Sequence, residues 1–175
     1  MSNVFESIEQ CARDALLHDR GSLERLVAHM RDPNWRVQYA AAVALGDRAD
    51  EGAIDALLET LAAEDAAPLY SQPDPLPENE QFPEQTLEAW RRRGRLKQAI
   101  CLALDHICAA DARVLEILHR YAVDPHEDYM VRAAACRALG HIGHRSSEPL
   151  LRQAATDEEE CTRTEALKAL ERNQT

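Results

Sequence analysis

The sequence has few aromatic residues, no long apolar run and no closely spaced cysteines. Phe, Trp and Tyr make up 5% of the chain. No run approaches the roughly 18 apolar residues that cross a bilayer, which argues against a membrane-spanning protein. The five cysteines form no CxxC pair, so we expect a reducing compartment rather than a disulfide framework or a zinc knuckle. Residues 1–10 lack the basic and apolar regions of a secretory signal, and we therefore expect a cytoplasmic protein.

Basic residues are absent from the middle of the chain, between Arg48 and Arg91, where 11 acidic residues lie. The whole chain has 31 acidic and 20 basic side chains, a net charge of -11, so this stretch carries the entire excess. Nucleic acid is not expected as a partner, because phosphate contacts need an excess of Lys and Arg. A basic patch follows at Arg91, Arg92, Arg93 and Arg95. It could bind phosphate groups, but a solvated face or pairing with the neighbouring carboxylates explains it more simply.

A stripe of small and apolar side chains recurs five times along the chain. In the copies at residues 37–45 and 131–139, an apolar residue precedes two small residues and then Ala-Leu. Spacings of i, i+3, i+4, i+7 and i+8 place these groups on one face of a helix. Small residues on that face let a neighbouring helix come close. The other copies lie at 8–16, at 96–104 and, more weakly, at 162–170.

A leucine-rich stripe follows each of the first four copies, at residues 23–30, 54–61, 114–121 and 147–154. The repeating unit is therefore a pair of helices, of which the first is rich in Ala and the second in Leu. The step from Leu45 to Leu104 is about twice as long as the others. Five prolines lie within it and break helix continuity. We predict an acidic, Pro-rich insertion loop over residues 64–85 rather than another repeat.

Turn residues predict where the helices begin and end. The Asp-Pro pairs at 32–33 and 124–125 precede first helices, and Asp accepts hydrogen bonds from the open N–H groups of a first turn. Gly46, Gly140 and Gly143 stand where those helices should end, since glycine adopts the left-handed conformation that terminates a helix. Together these patterns predict an all-α protein with a single domain over residues 1–175.

The segments 32–46 and 124–140, each with an Asp-Pro pair, a central Val and a final Ala-Leu-Gly, resemble HEAT repeats. More narrowly, they resemble the short HEAT-like repeats named after phycobilisome lyases. The resemblance covers most of the chain, and it departs from the family at Asp105 and Glu171, which stand where a glycine belongs. It implies an α-solenoid, a superhelix of four to five stacked helix pairs, with first helices on a convex face and second helices on a concave face that binds partners.

No motif for catalysis, metal binding or cofactor binding stands out. His126-Glu127 is the one His-Glu pair, whereas HEAT-like hydroxylases that act on deoxyhypusine carry several such pairs to hold two irons. His141 and His144 have no acid or cysteine beside them, so we interpret them as polar turn residues. We assign no catalytic residue, metal ligand or cofactor. Core packing explains most of the cysteines, namely Cys11, Cys101, Cys136 and Cys161.

The predicted function is that of a non-catalytic protein-interaction module, or adaptor. It would present its concave face and the acidic insertion to another protein with a basic surface. Aromatic side chains would anchor the contact and acidic side chains would steer it. The predicted partner-binding residues are Trp35, Asp55, Glu59, Glu64, Asp65, Tyr70, Phe82, Glu88 and Trp90.

Two other classes remain open from the sequence. By resemblance, the chain could be a bilin lyase subunit or a chaperone that inserts a tetrapyrrole. The low aromatic content and the lack of an adjacent His-Cys pair count against that alternative. A purely structural subunit is the third class.

Overall fold

The computed structural model describes residues 3–66 and 84–173, and the side chains of residues 3–66 and 94–173. Within these residues the chain forms nine α-helices, two short 3₁₀ turns (Glu51–Ala53 and Arg145–Ser147) and no strand. None of the helices in this part is long and apolar enough to cross a membrane. The helices are α1 (Val4–Ala15), α2 (Arg20–His29), α3 (Trp35–Arg48), α4 (Ile54–Ala66), α5 (Glu84–Ile107), α6 (Ala112–Val123), α7 (Tyr129–Ile142), α8 (Glu148–Ala154) and α9 (Glu160–Arg172).

The helices form two layers. The first helices of the pairs, α1, α3, α5, α7 and α9, lie side by side in chain order, each packed against the next. The second helices form the other layer: α2 packs on α1 and α3, α4 on α5, α6 on α7, and α8 on α9. This arrangement confirms the predicted α-solenoid, in which each unit contacts its neighbours along the stack.

The predicted stripes of α3, α5 and α7 are buried in the core. Leu45 of α3, Leu104 of α5 and Leu139 of α7 occupy the same register and are each at most 1% exposed. Burial of one such leucine contributes about 2 kcal/mol to folding. One hydrophobic cluster runs along the stack from Cys11 of α1 to Ala169 of α9.

Gly46 and Gly140 do not end their helices, contrary to the prediction, because both helices continue for two further residues. The two glycines instead lie where adjacent first helices touch. A Cβ atom on Gly46 would stand 2.9 Å from the Cα of Ala103, and one on Gly140 would stand 2.7 Å from the Cα of Ala169. Only Gly143 takes the left-handed conformation (φ 66°) and ends α7 as predicted.

The two Asp-Pro pairs form turns rather than helix caps. Asn34 and Asp128 cap α3 and α7, since their side chains accept hydrogen bonds from the N–H groups two residues further on. The carboxylates of Asp32 and Asp124 likewise accept hydrogen bonds two residues on, at 2.7 and 2.9 Å, within the preceding turns. Such local bonding is a common alternative role for Asp. The predicted caps were therefore wrong by two residues in α3 and by four in α7.

Helices extend into both ends of the predicted insertion. α4 runs to Ala66 and α5 begins at Glu84, so the predicted bounds of 64–85 were too wide. Residues 67–83, which make up the rest of the predicted loop, lie outside the described residues.

The predicted stripe of α1 is largely uncovered. Ala12 and Leu16 are exposed, and the buried residues of this helix are Ser7, Cys11 and Asp14. The difference has a simple cause: α1 packs against one first helix, α3, whereas α3, α5 and α7 each lie between two.

The cysteines divide into two groups. Cys11, Cys101 and Cys136 are buried at the contacts between helices, as predicted, whereas Cys161 is exposed and the prediction of core packing for it was wrong. Cys161 lies in the first turn of α9, beside the buried stripe rather than on it.

Candidate protein-interaction surfaces

The second-helix layer carries a groove between α4 and α6, with a volume of about 640 Å³. Leu58, Ala62 and Ile117 form its apolar floor. Leu58 and Ile117 belong to the leucine-rich stripes, but at their edges. Each is therefore half-buried, while its neighbours in those stripes, Leu57 and Leu118, have no exposed surface.

Charged side chains form the rim of this α4–α6 groove. Arg113 of α6 donates a hydrogen bond to Asp55 of α4 at 2.8 Å, and Arg31, in the turn after α2, donates one to Glu59 of α4 at 2.8 Å. These exposed pairs link α4 to α6 and to that turn, but they add little to stability because water screens them. The rim residues are Asp55, Glu59, Arg113, Glu116 and Arg120.

Arg113 also fixes the start of α6. It donates a hydrogen bond to Asp111 at 2.8 Å, and Asp111 in turn caps the helix. Hydrogen bonds from the Arg113 side chain and backbone lower the pKa of Asp111 to about 2. The cap therefore stays ionised down to about pH 2, and it holds Arg113 at the mouth of the groove.

Asp65 does not face a free surface but is held inside the fold. Its carboxylate lies 2.6 Å from the Nζ of Lys97, accepts a hydrogen bond from the Tyr121 hydroxyl at 2.9 Å, and contacts the guanidinium of Arg120. Burial alone would raise the pKa of Asp65, but the hydrogen bonds from Lys97, Arg120 and Tyr121 lower it below its usual value. Asp65 thus fixes the last turn of α4 to α5 and α6.

Lys97 is the centre of this buried cluster. It is 2% exposed, lies 2.5 Å from a carboxylate oxygen of Glu127, and stands 4.8 Å from the centre of the Tyr121 ring. Two carboxylates and an aromatic face together compensate a cation removed from water. Because Glu127 lies just before α7, the cluster joins α4, α5, α6 and α7.

The other predicted partner-binding residues are scattered. Glu64 lies half-buried on α4. Tyr70 and Phe82 fall outside the described residues, and so do the side chains of Glu88, Trp90, Arg91, Arg92 and Arg93. Arg95, the remaining member of the basic patch, is exposed on α5.

Trp35 lies on the opposite layer, in a groove of about 590 Å³ between α1 and α3. Its ring meets that of Tyr39 edge-on at 6.5 Å, and the guanidinium of Arg36 stands 5.0 Å from the Trp35 ring centre. This α1–α3 groove is made by first helices, and the α4–α6 groove by second helices. The structure therefore does not bring Trp35 together with Asp55 and Glu59.

Glu127 and His141, two of the residues considered for chemistry, are paired within the fold. Glu127 contacts Lys97, and His126 beside it is exposed. Asp105, which stands where other repeats carry glycine, is buried against Arg137 and His141. Among the described residues, no three or more His, Cys, Asp or Glu side chains are grouped to hold a metal ion.

Sequence reasoning missed the floors of both grooves. The leucine-rich pattern predicts that Leu58 and Ile117 are core residues, so it does not reveal the floor of the α4–α6 groove. Their positions at the edges of two different stripes were the signal in the sequence that could have indicated partial exposure. For the α1–α3 groove, the signal was the presence of two large apolar residues, Tyr39 and Val43, outside the small-residue stripe of α3. Large apolar side chains on the outer face of a helix indicate an exposed apolar surface.

Comparison with known proteins supports the resemblance at the level of the family. A family model for HEAT repeats matches residues 6–70 and 121–175, more than half of the chain. A structure of human deoxyhypusine hydroxylase in complex with glycerol is similar, with 18% identity over 99% of this chain and 81% of that chain, and a TM-score of 0.44. No curated protein sequence matches the chain.

The narrower resemblance to phycobilisome-lyase repeats, and the bilin-handling role that it implies, stay predictions. HEAT repeats typically mediate protein–protein interaction, and this chain belongs to the HEAT-repeat family.

Proposed function

We propose that the chain is a non-catalytic interaction module that binds a partner protein with a basic surface along the α4–α6 groove. The observation that carries the proposal is the groove itself. Half-buried Leu58 and Ile117 form an apolar floor within a charged rim. An apolar centre surrounded by a polar rim is the usual anatomy of a protein interface.

The floor and the rim would have different roles in binding. Covering Leu58 and Ile117 removes apolar surface from water, which favours the bound state by about 25 cal/mol for each Å² buried. Charges at the rim mainly set orientation and the association rate. The floor would therefore supply most of the affinity, and the rim most of the salt dependence.

The charge distribution supports a basic partner. The entire net charge of -11 comes from the stretch between Arg48 and Arg91, which includes α4. Asp55 and Glu59 are 74% and 62% exposed even though Asp55 pairs with Arg113 of α6 and Glu59 pairs with Arg31 of the turn after α2. Such solvated pairs are weak, so a cation of the partner can replace either arginine at little cost.

The test is affinity capture from cell extract with matched variants of the tagged chain. Ile117→Asp places a charge on the floor of the groove, whereas Leu167→Asp makes the same change at an exposed apolar position of α9. We expect the first variant to lose the captured partner and the second to retain it. We also expect capture to fall as salt rises.

A third variant distinguishes the contribution of the α4–α6 groove to binding from that of the acidic insertion. A neutral linker should replace only residues 67–83, because Asp65 belongs to the buried cluster with Lys97. The proposal predicts weaker capture, with a smaller salt dependence. Equal capture by the wild-type chain and the Ile117→Asp variant, or capture that rises with salt, would refute the proposal.

A further inference from the structure

The α1–α3 groove is an exposed apolar surface that the proposed function does not use. Leu16, directly after α1, is 81% exposed, and Tyr39 and Val43 of α3 are 40% and 41% exposed. Three large apolar side chains exposed side by side in one groove are typical of an interaction site.

The apolar share of the lining is higher at this end of the stack. Half of the side chains that line the groove between the corresponding faces of α5, α7 and α9 are polar or charged, among them Gln98, Arg137 and Glu165, whereas Arg36, Asp47 and Arg95 are the charged ones among the twelve that line the α1–α3 groove. Val43 of α3 and Arg137 of α7 occupy the same register in their repeats. The lining of the α1–α3 groove thus has a smaller share of polar and charged side chains than that of the groove at the equivalent position of the later repeats.

The spacing of the groove residues suits a helix. Ile8, Ala12 and Ala15 of α1 line it together with Leu16, which caps that helix. These four residues carry the same small-and-apolar pattern that receives a neighbouring first helix in α3, α5 and α7. Alanines on such a face let two helix axes approach closely, while the flanking larger side chains pack on the incoming helix.

The charges along the groove give the occupant a direction. Arg36 and Arg95 hold equivalent positions near one end, and Asp47 lies at the other. The distance along α3 between these ends corresponds to about 12 residues of helix, or about 17 Å. A helix favours acidic residues in its first turn and basic residues in its last. A helix lying parallel to α1 and α3 would place its first turn beside Arg36 and Arg95 and its last turn beside Asp47.

We propose that the α1–α3 groove binds an amphipathic helix of a partner protein, parallel to α1 and α3. The helix has acidic side chains in its first turn against Arg36 and Arg95, an apolar stripe against Tyr39 and Val43, and a basic side chain near Asp47. This site lies on the face opposite the α4–α6 groove, so one chain can hold two partners at once.

The probe is a synthetic helical peptide of about 14 residues, with Glu in the first turn, Leu at helical spacing and Arg in the last turn. Its binding to the full chain is measured by isothermal titration calorimetry. A second peptide of the same composition has the Glu and Arg residues exchanged. We expect the first peptide to bind at least about tenfold more tightly than the second.

Protein variants locate the site. Val43→Asp should weaken binding of the first peptide by at least about tenfold, because it places a carboxylate in the apolar floor. Leu167→Asp, at an equally exposed position of α9, and Ile117→Asp, in the α4–α6 groove, should leave it unchanged. The last variant distinguishes failure of this proposal from failure of the proposed function.

Several outcomes would overturn the proposal. The peptide could fail to bind, bind equally in both charge orders, or bind equally to the Val43→Asp variant. Self-association that disappears in Val43→Asp would assign the groove to a second copy of the chain. Peptide binding that appears only after replacement of residues 67–83 would assign it to the chain's own segment. Binding of a fatty acid in place of the peptide would assign it to a small amphipathic ligand.

Discussion

A Cβ atom on Gly140 would stand 2.5 Å from the Cβ of Ala169, closer than two such atoms can approach. The glycine is therefore required by the contact between α7 and α9, although it lies inside a helix. Gly46 has the same relationship to Ala103 across α3 and α5. The glycine of the repeat thus sets the spacing of the stack.

Substitution of Gly140 by Ala should destabilise the fold, although a Gly→Ala change inside a helix usually stabilises it. In an exposed helix interior, Gly→Ala stabilises by up to about 1 kcal/mol. Here the added methyl group overpacks the α7–α9 contact, and we expect Gly140→Ala to lower the free energy of unfolding by about 2 kcal/mol. Urea denaturation measures the change.

The control for this prediction is the exchanged pair. Gly140→Ala combined with Ala169→Gly removes the 2.5 Å contact between the added methyl group and the Cβ of Ala169, while the 2.7 Å contact with the Cα remains. The double variant should therefore be more stable than the sum of the two single changes by about 1 kcal/mol. Strict additivity would show that the two residues do not limit the approach of α7 to α9.

Replacement of Lys97 by Met should destabilise the fold strongly. The change leaves Asp65 and Glu127 without their shared cation, and breaking a buried ion pair from one side costs about 3 to 5 kcal/mol. Denaturation at neutral pH measures the loss. Lys168→Met is the matched control, because Lys168 pairs with Glu165 at the surface, and we expect a much smaller change there.

The cost of losing Lys97 should depend on pH. The folded-state pKa of Asp65 lies below its ordinary value of 3.8, so its ion pair stabilises the fold above pH 3.8 and loses that contribution as the pH falls through the folded value. The difference in stability between the wild type and Lys97→Met should therefore be largest near neutral pH and shrink below about pH 4. A difference that grows on acidification would contradict this account of the cluster.

Much of the fold followed from the sequence because helix periodicity reports burial directly. The matching registers of Leu45, Leu104 and Leu139 predicted the stack, and all three are buried in it. The same periodicity cannot say whether a glycine ends a helix or admits a neighbour. Gly46 and Gly143 look alike in the sequence, yet only Gly143 is left-handed.

The candidate sites were less predictable for a related reason. Periodicity says which face of one helix is buried, but not which helices share a groove. Trp35 and Asp55 were therefore assigned to one surface although they lie on opposite layers. Asp65 looked like any other acidic residue of its stretch, because its contact with Lys97 joins residues that are distant in the sequence.

Thiol reactivity should follow the division of the cysteines. Burial raises the pKa of Cys11 to about 11 and that of Cys136 to about 12, and it raises the pKa of Cys101 further. Buried, protonated thiols react slowly. We expect a thiol reagent to label two cysteines of the native chain, Cys108 and Cys161, and the other three only on unfolding. Mass spectrometry of the labelled native chain identifies the cysteines that have reacted. The double variant with Cys108→Ser and Cys161→Ser should not be labelled rapidly in its native state. Rapid native labelling of Cys101 would contradict the packing of α5.

Site-specific photo-crosslinking tests the central claim most directly. A photoreactive amino acid is placed at residue 117 on the floor of the α4–α6 groove, or at residue 167 on α9, and each chain is irradiated with its captured partner. The account predicts a covalent product from position 117 and little or none from position 167. Equal products from both positions, or a product from position 167 alone, would contradict binding along the second-helix layer.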